Sequence, residues 1–239
     1  MSAVQRVLQC LAVLILGFQV LEGKVGYAYL CVLTLVLLEL PRWAEGRLGV
    51  VLPEALEVLI LLFVFSAEIL GEIRGCYVRY PFWDSLLHGF SGFLFASIGS
   101  VLPGLFTGQR YEKTALLLFA VCFSMTVGVL WEFLEWGVDG LFGLDMQKDT
   151  VITALHSVCL DPRKGNGAGS ISGIRETLVM LPEGKGILLG LGGYLDVGLH
   201  DTMGDLLVNL LGAVVFGLLS RRDRLVRHFI PVVESREQG

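Results

Sequence analysis

Charged side chains are scarce in this chain of 239 residues: they make up 17% of it, whereas 54% of the residues are hydrophobic and the mean hydropathy is +0.70. Soluble domains carry about 25% charged residues. The deficit argues against an ordinary soluble domain and predicts a polytopic membrane protein. The sequence also lacks a basic patch of the kind that binds nucleic acid. Its one dense arginine cluster begins at Arg221, directly after an apolar run, and such a position is typical of a topology anchor. No nucleic-acid partner is expected.

Paired cysteines and a cleavable leader are missing as well. None of the five cysteines forms a CxxC pair and three lie in apolar runs, which disfavours a disulfide framework or a zinc ribbon. Pairing of Cys76 with Cys159 is the one disulfide that the sequence leaves open. The N-terminus has no A-x-A-like cleavage site, so we interpret the first apolar run as a retained span.

Long apolar runs are what the sequence does have, each close to the ~20 residues that a ~30 Å hydrocarbon core requires. They cover Val4 to Val20, Val25 to Leu40, Pro53 to Ile73, Asp84 to Leu102, Thr114 to about Asp139, and Asp201 to Leu219. Backbone hydrogen bonding in lipid then favours helices, since alternating strand patterns are absent. We predict an all-α membrane helix bundle of about six transmembrane helices over residues 1–219, followed by a cytoplasmic tail at 220–239.

Residues 140–199, before the last span, are less hydrophobic and rich in glycine, above all at 164–173. We expect one long extracytoplasmic loop here, with two short interfacial helices near Asp149–Val158 and Ser172–Leu181.

The orientation follows from the basic residues of the short loops. On one side these are Arg6, Arg42, Arg47, Arg110, Lys113, Arg221, Arg222, Arg224 and Arg227; on the other they are Lys24, Arg74 and Arg79. This asymmetry predicts that both termini are cytoplasmic.

Acidic residues concentrate at the span ends that this orientation places outside. Glu132, Glu135 and Asp139 share one face of the fifth helix, a costly arrangement in lipid unless the acids are protonated, paired or bound to a cation. The other outer span ends carry Glu68 and Glu72, Asp84 and His88, and Asp201 and Asp205, each pair spaced i, i+4, with His200 just before the last pair and Asn209 one turn deeper. The pattern predicts that acids from several helices meet at one depth.

Two chemistries fit such a cluster, and a third interpretation needs no site. A divalent metal would be bound by Asp84, His88, Glu132, Asp201 and Asp205, and this oxygen-rich set suits Mg²⁺, Mn²⁺ or Ca²⁺ better than copper, with Zn²⁺ less well suited. Alternatively, neighbouring carboxylates bind and pass protons or cations. In the third interpretation the acids face water or cap helix N-termini, as Asp84 and Asp201 would.

Three segments resemble a known family. Trp83 to Gly92 contains the "D-x-x-x-H-x-x-x-G" opening of the YjdF-like bacterial membrane proteins, Trp131 to Asp139 is similar to their "WE-x-x-E" element, and Gly193 to Asp205 is similar to the segment before their last helix. A more distant likeness, to the VanZ-type proteins known from glycopeptide resistance, includes Asp205, Asn209 and Gly212. The resemblance covers about Glu68 to Gly217. It implies a multi-pass protein of the bacterial plasma membrane, and it implies no particular reaction.

We therefore favour a membrane protein with an acidic, metal-binding site near the outer membrane face that acts on a lipid or lipid-linked envelope substrate. His88 or Glu135 would be its acid or base. The alternatives are a proton- or cation-coupled transporter, disfavoured by the lack of an inverted repeat, and a non-catalytic scaffold or resistance factor.

Overall fold

The computed structural model describes residues 2–221 and 228–233, and most of them are helical. The α-helices are α1 (Ala3–Leu21), α2 (Val25–Leu37), α3 (Leu40–Leu48), α4 (Glu54–Phe65), α5 (Cys76–Arg79), α6 (Trp83–Gly99), α7 (Leu102–Thr107), α8 (Lys113–Phe142) and α9 (Leu199–Ser220). Short strands also occur, so the prediction of an all-α fold is wrong in that detail: β1 (Val50–Val51), β2 (Thr150–Ile152), β3 (Ala154–Ser157), β4 (Gly169–Ser172), β5 (Leu178–Met180), β6 (Gly186–Leu188), β7 (Tyr194–Asp196) and β8 (Val232–Val233).

In the described residues, five helices are long and apolar enough to cross a membrane. They are Ala3–Leu21, Val25–Arg47, Trp83–Thr107, Lys113–Phe142 and Leu199–Ser220. A polytopic helical membrane protein is thereby supported on length and composition. Their boundaries lie close to five of the six predicted spans.

The remaining predicted span, Pro53 to Ile73, is helical but irregular. α4 begins after Pro53 and continues at Ser66–Ile73 as a π-helix. A π-helix is wider than an α-helix and is rarely longer than one turn. This segment carries Glu54, Glu57, Glu68 and Glu72, and its α-helical part, α4, has only 12 residues.

The chain divides into two compact units, the first made of Met1–Leu130 and Asp205–Gly239 and the second of Trp131–Gly204. The first unit contains two buried apolar clusters. Leu8, Leu38, Leu61 and Val64 join α1, α2 and α4, whereas Ala96, Ala120, Ala213 and Phe216 join α6, α8 and α9. Small residues predominate in the second cluster, which lets helix backbones approach closely, as is common in membrane bundles.

The backbones of α6 and α9 approach each other closely in the first unit. A side-chain carbon placed on Gly92 would collide with the Asn209 backbone, and one on Gly212 would collide with the Gly89 carbonyl oxygen. Gly89, Gly92 and Gly212 are therefore positions where α6 and α9 pack together. The contact fixes the register of α9 against α6, and with it the spacing of any polar groups that the two helices carry.

The end of the chain also packs in the first unit. β8 pairs antiparallel with β1, and the Phe229 ring stands edge-on to Phe93 at a centroid distance of 5.3 Å. The predicted tail at 220–239 is thus partly structured. Arg222, Arg224 and Arg227, which support the predicted orientation, lie outside the described residues.

The second unit holds the long segment between the last two membrane helices. Three antiparallel pairs, β2 with β7, β3 with β4 and β5 with β6, replace the two interfacial helices that the sequence predicts. Runs such as Thr150–Ile152 are β-branched, and the intervening glycines disfavour helix, which accounts for the difference. The possible disulfide is not formed, because Cys76 and Cys159 are free thiols.

Candidate functional site

Three predicted site residues meet in the first unit. Asp84 and His88 are one helical turn apart on α6, and Asp205 lies on α9. The His88 Nε2 atom is 3.8 Å from Asp84 Oδ1 and 3.8 Å from Asp205 Oδ2. Both distances are too long for hydrogen bonds. The three side chains thus converge on a shared point without closing on one another.

The spacing suits a cation at that point. One ligand atom from each of the three residues lies within 4.8 Å of the other two. Three ligand atoms this close together can bind one cation at the same time.

The three side chains are largely buried, which favours a bound cation or a proton among them. The side chains of Asp205 and His88 are 2% and 8% exposed, and that of Asp84 is 18% exposed. Carboxylates this buried need a bound cation, a proton or polar partners. Capping does not explain Asp84, since the N-cap of α6 is Phe82 and no side chain caps this helix.

A hydroxyl orients one of the carboxylates. Ser85 donates its Oγ hydrogen to Asp205 Oδ1 at 3.3 Å, while Asp205 Oδ2 faces His88. The two oxygens of Asp205 therefore have different surroundings. Partners of this kind hold ligating groups in position in known metal sites.

One turn deeper, a buried polar layer connects three helices. The Asn209 side-chain amide accepts from Ser91 Oγ at 3.3 Å and donates to the Ser124 carbonyl oxygen at 3.3 Å. Ser124 Oγ in turn donates to the Gly92 carbonyl oxygen at 2.9 Å. Both Asn209 and Ser124 are fully buried. This layer ties α6, α8 and α9 together directly below Asp205, which is on the same face of α9 as Asn209.

Other predicted acids lie in the second unit and several have structural partners there. Asp139 accepts from the backbone N–H groups of Met146 and Gln147 at 2.6 and 2.9 Å, and Asp201 accepts from that of Lys148 at 2.9 Å. Glu135 accepts from Trp131 Nε1 at 2.8 Å, and Glu132 is buried. Asp139 and Asp201 thus hold residues 146–148 in place.

Two aspartates of the second unit, Asp149 and Asp196, have pKa values shifted in opposite directions. Burial and the charges of Asp145, Asp139 and Asp196 raise the pKa of Asp149. Burial would also raise the pKa of Asp196, but hydrogen bonds from the His200 backbone and ring, with the His200 charge, lower it below its ordinary value. His200, predicted to lie near the site, is thus paired with Asp196, its Nδ1 atom being 2.9 Å from Asp196 Oδ2.

The family described as "Predicted membrane protein (DUF2238)" matches residues 4–224 of the chain. The chain belongs to this family. No curated protein and no solved structure matches it. The description of the family names a membrane location and no activity, so any function has to be argued from the residues of the site.

Some residues of the site are not distinguishable in the sequence from ordinary helix residues. Ser85 and Ser124 are single hydroxyls in apolar helices, where serine commonly bonds to its own backbone. The sequence signal for Ser124 is that it lies four residues after Ala120 and four before Gly128, which places three small residues on one face of α8. Conversely, Glu68 and Glu72 are predicted to join the acids, yet within the described residues neither belongs to a group of three metal-competent side chains.

Proposed function

We propose that the first unit holds a divalent cation between Asp84, His88 and Asp205. The observation that carries the proposal is the pair of 3.8 Å separations from His88 Nε2 to the two aspartate oxygens. Two carboxylates and one imidazole favour Mg²⁺ or Mn²⁺ over copper and accept Zn²⁺. Three protein ligands leave coordination positions for water or for a substrate oxygen, as in catalytic metal sites.

We further propose that the site acts on a lipid or lipid-linked envelope substrate. A divalent cation in this position would polarise a phosphate or ester oxygen, or lower the pKa of bound water. His88 would bind the cation or, in a reaction cycle, move a proton. From the sequence alone, Glu132 and Asp201 are additional proposed ligands, and Glu135 a second proposed acid or base; the support for these three is the spacing of acids at helix ends.

The test is elemental analysis of the detergent-purified full chain after loading with Mg²⁺, Mn²⁺, Ca²⁺ or Zn²⁺ and desalting. We expect about one equivalent of Mn²⁺ or Zn²⁺ in the wild type, and loss of at least tenfold in affinity, about 1.4 kcal/mol, in His88→Gln and Asp205→Asn. Binding of the weaker Mg²⁺ and Ca²⁺ ions is measured by calorimetric titration.

The matched controls are Asp161→Asn and His156→Gln, which change the same residue types in the second unit. Asp161 accepts from the Arg163 and Gly165 backbone, and His156 is exposed beside Ser170. Equal metal loss in the controls would mean non-specific binding. A wild type that binds none of the four ions contradicts the proposal and favours proton-coupled transport or a structural role for the acids.

We further infer that the chain lies in the bacterial plasma membrane, as the likeness to YjdF-like and VanZ-type proteins implies, and that both termini are cytoplasmic, as the basic residues of the short loops imply. The second unit would then be extracytoplasmic. We expect a membrane-impermeant maleimide to label the exposed Cys159 in intact cells, and the Cys76→Ser/Cys159→Ser variant to lose the label. Labelling of the wild type only after cell lysis would reverse the orientation.

A further inference from the structure

The second unit has almost no apolar core outside its helices. Between residues 143 and 198, all of which are described, the buried positions are Gly193 and Gly198. An isolated two-stranded hairpin is marginally stable in water. The apolar side chains of this segment therefore need a surface to cover them.

Exposed apolar side chains are most evident in the β5–β6 hairpin, because it is apolar on both faces. Leu178 lies opposite Leu188 and Val179 lies opposite Ile187, so the two pairs point to opposite sides of the ribbon. Leu178, Met180 and Leu188 are 57%, 61% and 63% exposed, and Val179 and Ile187 on the other face are exposed as well. Either face of the ribbon therefore offers apolar side chains to a bilayer surface.

Four cations lie in the same segment of the chain as this hairpin. Arg163, Lys164, Arg175 and Lys185 are all exposed, and no ion pair in the described residues involves them. Two of the three acids in the same segment are engaged with backbone N–H groups: Asp161 as described above, and Glu176 by Thr177 and Gly190. The formal net charge of residues 154–191, with four cations and three acids, is therefore +1.

We propose that the hairpins of the second unit, residues 154–191, dock on the surface of an anionic phospholipid bilayer. Exposed apolar side chains beside cations are the signature of interfacial segments, which combine apolar insertion with attraction to anionic headgroups. The segment is joined at both ends to membrane-competent helices, α8 and α9, so a bilayer is always within reach. Insertion is shallow, because the hairpin edges carry unpaired backbone groups that the hydrocarbon core cannot satisfy.

The test is hydrogen exchange of the full wild-type chain in nanodiscs of phosphatidylcholine alone and of phosphatidylcholine mixed with phosphatidylglycerol. Each cation near an anionic surface strengthens binding about fivefold. We expect the amides of residues 178–188 to exchange at least about tenfold more slowly in the anionic discs. Arg175→Gln/Lys185→Gln should abolish most of that difference, whereas the charge-matched control Arg110→Gln/Lys113→Gln, in the first unit, should keep it. Equal exchange in both discs would overturn the proposal.

The accessibility of a spin label to oxygen and to nickel distinguishes a lipid environment of the hairpin from a protein contact. With the five native cysteines replaced by serine, a label at Leu188→Cys should be accessible to oxygen and protected from a water-soluble nickel complex, whereas a label at Asn166→Cys should be open to nickel. A Leu188 label open to nickel means a surface in water, and a label closed to both reagents means a second copy of the chain; either result contradicts the proposal. If the serine background does not fold, the exchange measurement on the wild type decides.

Discussion

Asp139 and Asp205 are the same residue type, and both belong to helices long enough to span a membrane, but their carboxylates contact different groups. Both oxygens of Asp139 accept backbone N–H groups, from Met146 and Gln147. Asp205 directs one oxygen to Ser85 and the other toward His88, at a distance too long for a hydrogen bond. The first carboxylate is saturated by structure. The second directs an oxygen toward another proposed ligand, His88, which is why the proposed site is centred on Asp205.

Charge repulsion at residue scale gives a pH-dependent prediction for Asp149. Burial and the nearby acids, Asp145 foremost, raise its pKa. A folded-state pKa above the unfolded value, which is about 3.9 for aspartate, means that this group favours folding below that pH, and that the contribution is lost as the pH rises through the folded-state pKa.

The measurement is a carbon-13 titration of the aspartate carboxyl groups in the detergent-solubilised chain. We expect the Asp149 signal to titrate above the ordinary range and to move toward it in Asp145→Asn. Asp161→Asn, whose carboxylate is in another part of the segment, serves as the control. An Asp149 pKa unchanged by Asp145→Asn would show that burial and the other neighbouring acids raise it without Asp145.

At the scale of elements, the length of the apolar runs predicts the membrane helices but does not reveal the short strands. A membrane helix contributes about 20 consecutive apolar residues, a signal too long to overlook in runs such as Val4 to Val20. The strands of the second unit have only three or four residues each, and glycine interrupts them, so that no alternation accumulates. The π-helix at Ser66–Ile73 is likewise invisible in the sequence, since it depends on backbone geometry rather than on residue type.

The candidate site was partly predictable for a related reason. The i, i+4 spacing puts Asp84 and His88 on one face of a helix whatever the fold. Their meeting with Asp205 required the α6–α9 contact, for which the signal was the small residues Gly89, Gly92 and Gly212. The roles of Asp139 and Asp201 depend on the backbone N–H groups of residues 146–148. These residues lie in a loop, and the spacing of residue types in the sequence does not predict loop conformation.

The α6–α9 contact itself gives the second prediction. Gly92→Ala places a carbon against the Asn209 backbone, so the two helices have to separate. We expect a loss of about 1–3 kcal/mol and a lower midpoint of thermal unfolding in detergent, together with weaker metal binding, because Asp205 moves with α9.

Gly217→Ala is the matched control on α9. No atom lies within 4 Å of a side-chain carbon at this position, and alanine is the better helix former by about 1 kcal/mol. The control should unfold at the wild-type temperature or above it. If both variants lowered the midpoint equally, glycine would be needed for reasons other than the α6–α9 contact.

At the scale of the whole molecule, segments that are far apart in the sequence pack together in one unit. The first unit is assembled from two stretches of chain, Met1–Leu130 and Asp205–Gly239, with the entire second unit inserted between them. The contacts that bind α9 into the first unit do not involve the insert: Asn209 with Ser91 and Ser124, and Gly212 with Gly89. A break in the insert should therefore leave the first unit assembled.

This can be tested with a specific protease site placed at Gly167, an exposed position between β3 and β4. After cleavage in detergent we expect the two fragments to co-elute in size-exclusion chromatography and to retain the metal affinity of the intact chain, because Asp84, His88 and Asp205 all belong to the first unit. The same cleavage in a Gly92→Leu background should release the C-terminal fragment, since the larger side chain forces α9 away from α6. Separation of the wild-type fragments would mean that α9 is held in place by the connection through the second unit rather than by its own packing.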